Sequence, residues 1–386
     1  MIPAVNGKNV LFITTKNLDY IRNTQEIRLI KEQASSCTVI GSPDKHYFFR
    51  LLAVFFSTLT VSAARFDTVF IGFAPQLILP LFRYKFKKNY IIIDFFISMY
   101  DTLCHDRKKI KPGSAAGHFL HFIDRMTLSC ADFVICDTNT HGRYFAEEFG
   151  VSPDKLYSLY LHADTSIYHP LPDCRPAHLK DKFIVLYFGS VLPLQGTSVV
   201  LEAMSLLKEN KNLFFYFIGP VKKQRMTGFA RHPYAKQRMT GFARHPYAKQ
   251  RLTGFARHPY AKQQLTGVIV GKSRQAFCPV SDNIAYIDWL PQEQLAQYIG
   301  QADLCLAGHF HAEIAKAKRT IPGKAYIYKA MKKPMILGDN PANRELFHQN
   351  ADTVFVEMGS AKALADAILA FYKEHTSQSK QFSNTL

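Results

Sequence analysis

Acidic residues are few in this chain: 30 Asp and Glu stand against 48 Lys and Arg in 386 residues, for a formal net charge of +18. The seven cysteines are odd in number, scattered, and include no CxxC pair. That pattern argues against a zinc site and a disulfide framework, and for a reducing compartment. No apolar run reaches the ~20 residues a membrane-spanning helix requires. The longest, FFRLLAVFFSTLTVSAA at 48–64, is broken by Arg50 and followed by Arg65, so it is expected to pack on a sheet or touch a membrane surface. The opening MIPAVNGKNVLFITT lacks a basic segment leading into an apolar one. No secretory signal is therefore expected, and the expected location is cytoplasmic.

What is present is the composition of a folded protein, 47% apolar and 20% charged, long enough for two domains each with its own core. The chain is organised around residues 183–204, FIVLYFGSVLPLQGTSVVLEAM. A β-branched apolar run ends at Gly189-Ser190, a loop with Pro193, Gln195 and Gly196 follows, and helical spacing begins near Val199. Strand, glycine turn and helix together leave free backbone N–H groups at the positive end of a helix, a setting for phosphate as well as ordinary packing.

Upstream, apolar strands at 9–15, 37–40, 66–72, 90–96, 131–136 and 155–159 alternate with helical stretches, including one expected over 75–86. Uniformly apolar strands of this kind predict a parallel sheet covered on both faces, an α/β doubly wound domain. Ligand groups in such sheets gather beyond the carboxyl ends of the strands. The candidates there are Lys16, Asn17, Gln76, Asp94 and the Asp137-Thr138-Asn139 turn. Asp94 follows three isoleucines and reads either as a cleft carboxylate or as a helix cap or salt-bridge partner. Residues 98–114 read as a long basic loop whose Tyr100, Asp101, Asp106 and Arg107 either order over a substrate or simply connect.

The stretch from His162 to Pro170 carries turn residues and is the expected hinge, dividing the chain into 1–165 and 166–375, with a disordered tail at 376–386. The second half repeats the strand–helix alternation but is interrupted. QRMTGFARHPYAK occupies 224–236, recurs at 237–249 and, with Leu for Met, at 250–262, and a partial copy runs to 267. The three full copies contribute nine cations. A 13-residue period matches neither a strand nor a helix face, so the repeat is expected to be a mobile basic surface insertion rather than a compact module.

Several segments together resemble the retaining glycosyltransferases of the two-Rossmann-domain (GT-B) type, specifically the large fourth family of bacterial sugar transferases. They are YFGSVLPLQGTSVVLEA, HADTSIYHP, DNIAYIDWLPQEQLAQYIGQADLCL and IPGKAYIYKAMKKPMILGDNPANRELF. The resemblance implies two Rossmann-like domains facing a cleft, with a nucleotide-sugar donor on the second and the acceptor on the first. It implies donor contacts from Gly189, Ser190, Gln195, Gly196, Trp289, Leu290, Lys324 and Glu345, and acceptor contacts from Lys16, Asn17, Gln76, Asp101 and Arg107. Asp94 and Lys324 are the candidate catalytic residues.

The chain departs from the family pattern at charged positions. Ser190 and Gln195 stand where the donor loop usually carries Arg and Lys, leaving Lys324 as the best cation for a diphosphate. The paired glutamates fall at Arg319 and Ile327. No DxD triplet occurs, which fits transfer without metal or other cofactor. The implied activity is that of a hexosyltransferase acting on a surface-glycan or lipid-linked acceptor at the inner face of a membrane. The basic, aromatic RYKFKK at 83–88 is suited to anionic lipid and equally reads as a solvated helix end. The alternative is a non-catalytic protein on a degenerate transferase scaffold, binding nucleic acid or an anionic polymer through its basic repeats.

Overall fold

The computed structural model describes residues 2, 4–220, 278–279 and 281–383, with side chains through residue 377. The repeat at 224–267 lies outside the described residues. In the first domain strands and helices alternate in chain order: β1 (Asn9–Ile13), α1 (Ile21–Gln33), β2 (Ser36–Ile40), α2 (Tyr47–Thr60), β3 (Thr68–Ile71) and α3 (Leu79–Phe82). There follow β4 (Tyr90–Asp94), α4 (Ala115–Ser129), β5 (Phe133–Cys136), α5 (Asn139–Phe149) and β6 (Leu156–Ser158). The strands form one parallel sheet in the order β2-β1-β3-β4-β5-β6. Every residue of β3 and β5 is buried, because helices cover both faces and leave no solvent side for a polar alternation. One face packs Val54, Phe82, Leu128 and Phe145 from four successive helices, and the other packs Ile30 of α1 against Phe12 and Phe70.

Two local expectations fail here. Residues 75–86 do not form one helix but a turn at Pro75–Leu77 followed by the single-turn α3. Pro80 has no N–H to continue a ladder from the first turn, and Ala74, at φ 55°, redirects the chain just before it. The basic stretch after β4 is also not all loop. A helical turn spans Asp101–Asp106, with the Ser98 hydroxyl accepting from the Asp101 N–H at 2.9 Å.

The second domain runs β7 (Phe183–Phe188), α6 (Thr197–Leu207), β8 (Leu213–Ile218), β9 (Ile284–Ile287), α7 (Gln292–Gln301), β10 (Leu304–Gly308), α8 (Ala315–Arg319) and α9 (Gly323–Ala330). It closes with β11 (Met335–Gly338), α10 (Pro341–Leu346), β12 (Thr353–Val356) and α11 (Ala361–Ser383). Its parallel sheet has the order β12-β11-β10-β7-β8-β9. Helices α6 and α11 cover one face through Val200, Met204, Leu364 and Ile368, while α7 and α9 cover the other through Leu295, Ile299, Ala325 and Tyr328. The final helix is assigned over Ala361–Ser383, a stretch that contains neither Gly nor Pro. Between domains the chain leaves the first core at Leu159 and packs against the second from Tyr160 on, becoming fully buried there at Tyr168.

The carboxyl edges of the two sheets meet. Thr138, just beyond β5, donates its hydroxyl proton to the Arg319 carbonyl at 2.5 Å, and the Lys316 ammonium reaches Thr102 at 3.4 Å.

Candidate active site

Three glycines stand where β7, β8 and β10 end, each at positive φ: Gly189 at 150°, Gly219 at 149° and Gly308 at 83°. A side chain at Gly219 would collide with the Gly189 carbonyl, so the two turns can lie against each other only without side chains. A Cβ at Gly189 would sit 3.1 Å from the Lys324 Nζ, and one at Gly308 3.9 Å from it. Lys324 itself comes from the first turn of α9 and is 5% exposed.

Among the described residues its ammonium has no hydrogen-bond partner; Nζ faces the Tyr187 ring at 3.8 Å and the Phe188 ring at 5.9 Å from the centroids. Burial pushes the Lys324 pKa well below its usual range. A buried, unpaired cation is costly, and the glycine turns beside it are shaped for close backbone approach. The arrangement can hold an anion, with the Lys324 charge and the N-terminus of α9 as the neutralising set.

Nearby, Gly196 caps α6 at φ 66°, and a side chain there would collide with the backbone of Phe310 and His311. The Gln195 carbonyl accepts from the Phe310 N–H at 3.2 Å, while its buried side-chain Oε1 has no partner. Ser190 is half-buried beside Gly189. Trp289, 48% exposed, and the half-buried Leu290 follow β9 at the same sheet edge. His309 lies buried behind the cradle, its Nδ1 3.4 Å from the Thr320 hydroxyl. Desolvation, and then the Lys324 charge, push its pKa down to about 3, so it is neutral at physiological pH.

The first-domain candidates are arranged differently from expectation. Asp94 does not stand open at the cleft. It is 1% exposed and both carboxylate oxygens are taken by Arg22, at 2.6 and 2.7 Å. Arg22 also donates to the Leu159 carbonyl, and Glu26 lies buried one helical turn on. Desolvation and then the Asp94 charge raise the Glu26 pKa well above the usual carboxylate range. Two carboxyls and one guanidinium are sealed together here, and neither Asp94 oxygen is left open toward the cleft.

Gln76 is likewise buried, donating to the Ile97 carbonyl at 2.7 Å and to Asp124 at 2.9 Å, where it fixes the turn after β4. Asp101 is buried against Arg319, 2.8 Å away. Lys16 lies over the Phe73 ring at 5.1 Å, Asn17 keeps a buried Oδ1 without a partner, and Arg107 is exposed.

Glu345 is also spent. Its carboxylate accepts from the N–H groups of Asn139 at 2.7 Å and Thr140 at 2.6 Å, and from the hydroxyls of Thr140 and Tyr160. A side chain of the second domain thus caps α5 of the first instead of standing free for a sugar or ribose. Arg319, at the family's first glutamate position, bridges to Asp101 and stacks 3.6 Å over the Tyr144 ring. Sequence reading missed Arg22, Glu26 and His309 because their roles depend on partners more than 70 residues away or on burial that no local pattern records.

Residues 242–374 match the family model of the group 1 glycosyl transferases. No curated protein matches the sequence. Among solved structures, sucrose-phosphate synthase from Thermosynechococcus elongatus is similar at a TM-score of 0.61 and 13% identity, over 95% of this chain and 90% of that one. The Anabaena protein HepE, solved in complex with UDP and glucose, is similar at 0.55 and 12%, over 96% and 91%. A glycosyltransferase from Rickettsia africae is similar at 0.53 and 14%, over 95% and 88%. These likenesses show the fold: the two facing Rossmann-like domains are the GT-B architecture.

Proposed function

We propose that this GT-B glycosyltransferase takes a sugar from a nucleotide-sugar donor and passes it, with retention and without a metal ion, to a surface-glycan or lipid-linked acceptor. The observation that carries the reading is the Lys324 ammonium, buried and without a hydrogen-bond partner between the turns of Gly189 and Gly308. A donor diphosphate there would restore the counter-charge the site lacks. As the bond to the sugar breaks, negative charge grows on the leaving diphosphate. Lys324 and the N-terminus of α9 are already in place to stabilise it, so no reorganisation is needed at the moment of transfer. The UDP seen with the Anabaena protein supports a nucleoside diphosphate as the leaving group.

Asp94 has no part in this reading, because its carboxylate is committed to Arg22. The proton of the acceptor hydroxyl passes to the leaving diphosphate, which needs no dedicated base. Calorimetric titration with a panel of nucleoside diphosphates tests the proposal. One of them is expected to bind and to lose affinity in Lys324→Met. Binding unaffected by that change, or none across the panel, would overturn it.

A further inference from the structure

Helix α2 is turned the unusual way round. Its fully buried positions are Arg50, Val54 and Thr58, a stripe at four-residue spacing, with Leu51 and Phe55 partly buried against the core beside them. Its outward positions include Phe48 (64% exposed), Phe49 (58%), Phe56 (57%) and Leu59 (54%). A surface helix normally buries its most apolar side, and here that side faces out.

The apolar face continues onto the next element. The Lys85 ammonium donates to the Leu59 carbonyl at 2.5 Å, and Asn89 donates to the carbonyls of Ala63 and Phe66, so residues 83–89 lie against the end of α2. Leu81 and Tyr84, 66% and 76% exposed, extend the face there. Around it stand the exposed cations Arg83, Lys87 and Lys88, and residues 47–66 and 81–90 contain no Asp or Glu.

We propose that this face is a docking surface for an anionic lipid bilayer. Aromatic and aliphatic side chains would enter the boundary between headgroups and acyl chains while the cations pair with lipid phosphates. The charge arrangement selects this occupant over a second copy of the chain. Two-fold pairing through the face would bring Arg83, Lys87 and Lys88 toward their own duplicates, a repulsion that an anionic bilayer replaces with attraction. Among the described residues no helix is long and apolar enough to cross a membrane, so the contact is peripheral. The inference rests on the transferase reading only for its purpose, which is to bring the cleft to a lipid-linked acceptor.

Co-sedimentation of the full chain with vesicles of phosphatidylcholine, with and without phosphatidylglycerol, provides the test. Binding is expected to be several-fold stronger to the anionic vesicles and to weaken as salt rises. Phe48→Ser with Phe56→Ser is expected to reduce binding at least tenfold, with the melting temperature and nucleoside-diphosphate affinity unchanged. If that pair fails to fold, Lys87→Glu with Lys88→Glu is read in its place and the same loss is expected. A chain that stays in the supernatant overturns the proposal. So does vesicle binding that survives the substitutions, which would place the contact elsewhere, for example on the basic repeats. Sedimentation velocity showing a dimer that the phenylalanine substitutions dissolve would assign the face to self-association instead. Nucleotide titration of the same samples reads the transferase proposal separately.

Discussion

The Glu345 carboxylate accepts the Thr140 backbone N–H at 2.6 Å, so the second domain adds to the Thr138 cap of a helix in the first. Four donors of the first domain converge on this one side chain. Open N–H groups at a helix start favour a carboxylate both as an acceptor and through the helix dipole. The domain closure seen here includes these polar contacts together with the Arg319–Asp101 ion pair.

Replacing Glu345 by Ala should free α5 and loosen that closure. Loss of a helix cap typically costs about 0.5–2 kcal/mol. Amide hydrogen exchange at Asn139 and Thr140 is expected to accelerate, and small-angle scattering to show a larger radius. Unchanged exchange at both amides would mean that the cap is made by other groups in solution.

Asp94→Asn should act on stability. The change leaves Arg22 and Glu26 buried without the carboxylate that offsets the guanidinium, a loss of about 3–5 kcal/mol for a broken buried pair. Chemical denaturation should show it, while the nucleoside-diphosphate dissociation constant of the folded fraction stays put. A variant with normal stability and abolished turnover would return Asp94 to the chemistry.

Lys324→Met should move two properties in opposite directions. Removing an uncompensated buried cation is expected to raise the melting temperature, whereas diphosphate binding should weaken by about 1–3 kcal/mol, the range for a lost charge-assisted hydrogen bond. Because burial depresses the Lys324 pKa in the free protein, a bound diphosphate should raise it again and draw in a proton. Affinity is then expected to fall as pH rises above the pKa of the free protein. Calorimetry in buffers of different ionisation enthalpy measures the uptake directly, and no uptake would mean that the lysine is already charged.

His309 sets a pH dependence of folding. Its folded pKa, about 3, lies below the unfolded value, so the unfolded chain binds the extra proton between about 6.5 and 3. The contribution of neutral His309 is full above pH 6.5 and is lost as pH falls toward 3. Denaturant midpoints across that interval should decline less steeply in His309→Gln than in the parent protein. Parallel slopes would assign the acid sensitivity to other groups.

The sequence by itself determined the architecture. Uniformly apolar strands such as FIVLYF and YIIID can be satisfied only in a parallel sheet covered on both faces, and helical spacing between them supplies the cover. The glycine turn at 189 and the lysine at 324 were legible for the same reason, since strand ends and helix starts are local events. What the sequence could not determine was which charges cancel. Asp94 meets Arg22 across 72 residues and Glu345 meets Thr140 across 205, and each pairing removes a carboxylate that stands conspicuous in the linear order. Nor could it say which side of α2 faces out, because an apolar helix reads alike in either orientation until its neighbours are placed. Only the tertiary structure left Lys324 without a partner, since an unmet charge is a property of the surroundings and not of the residue.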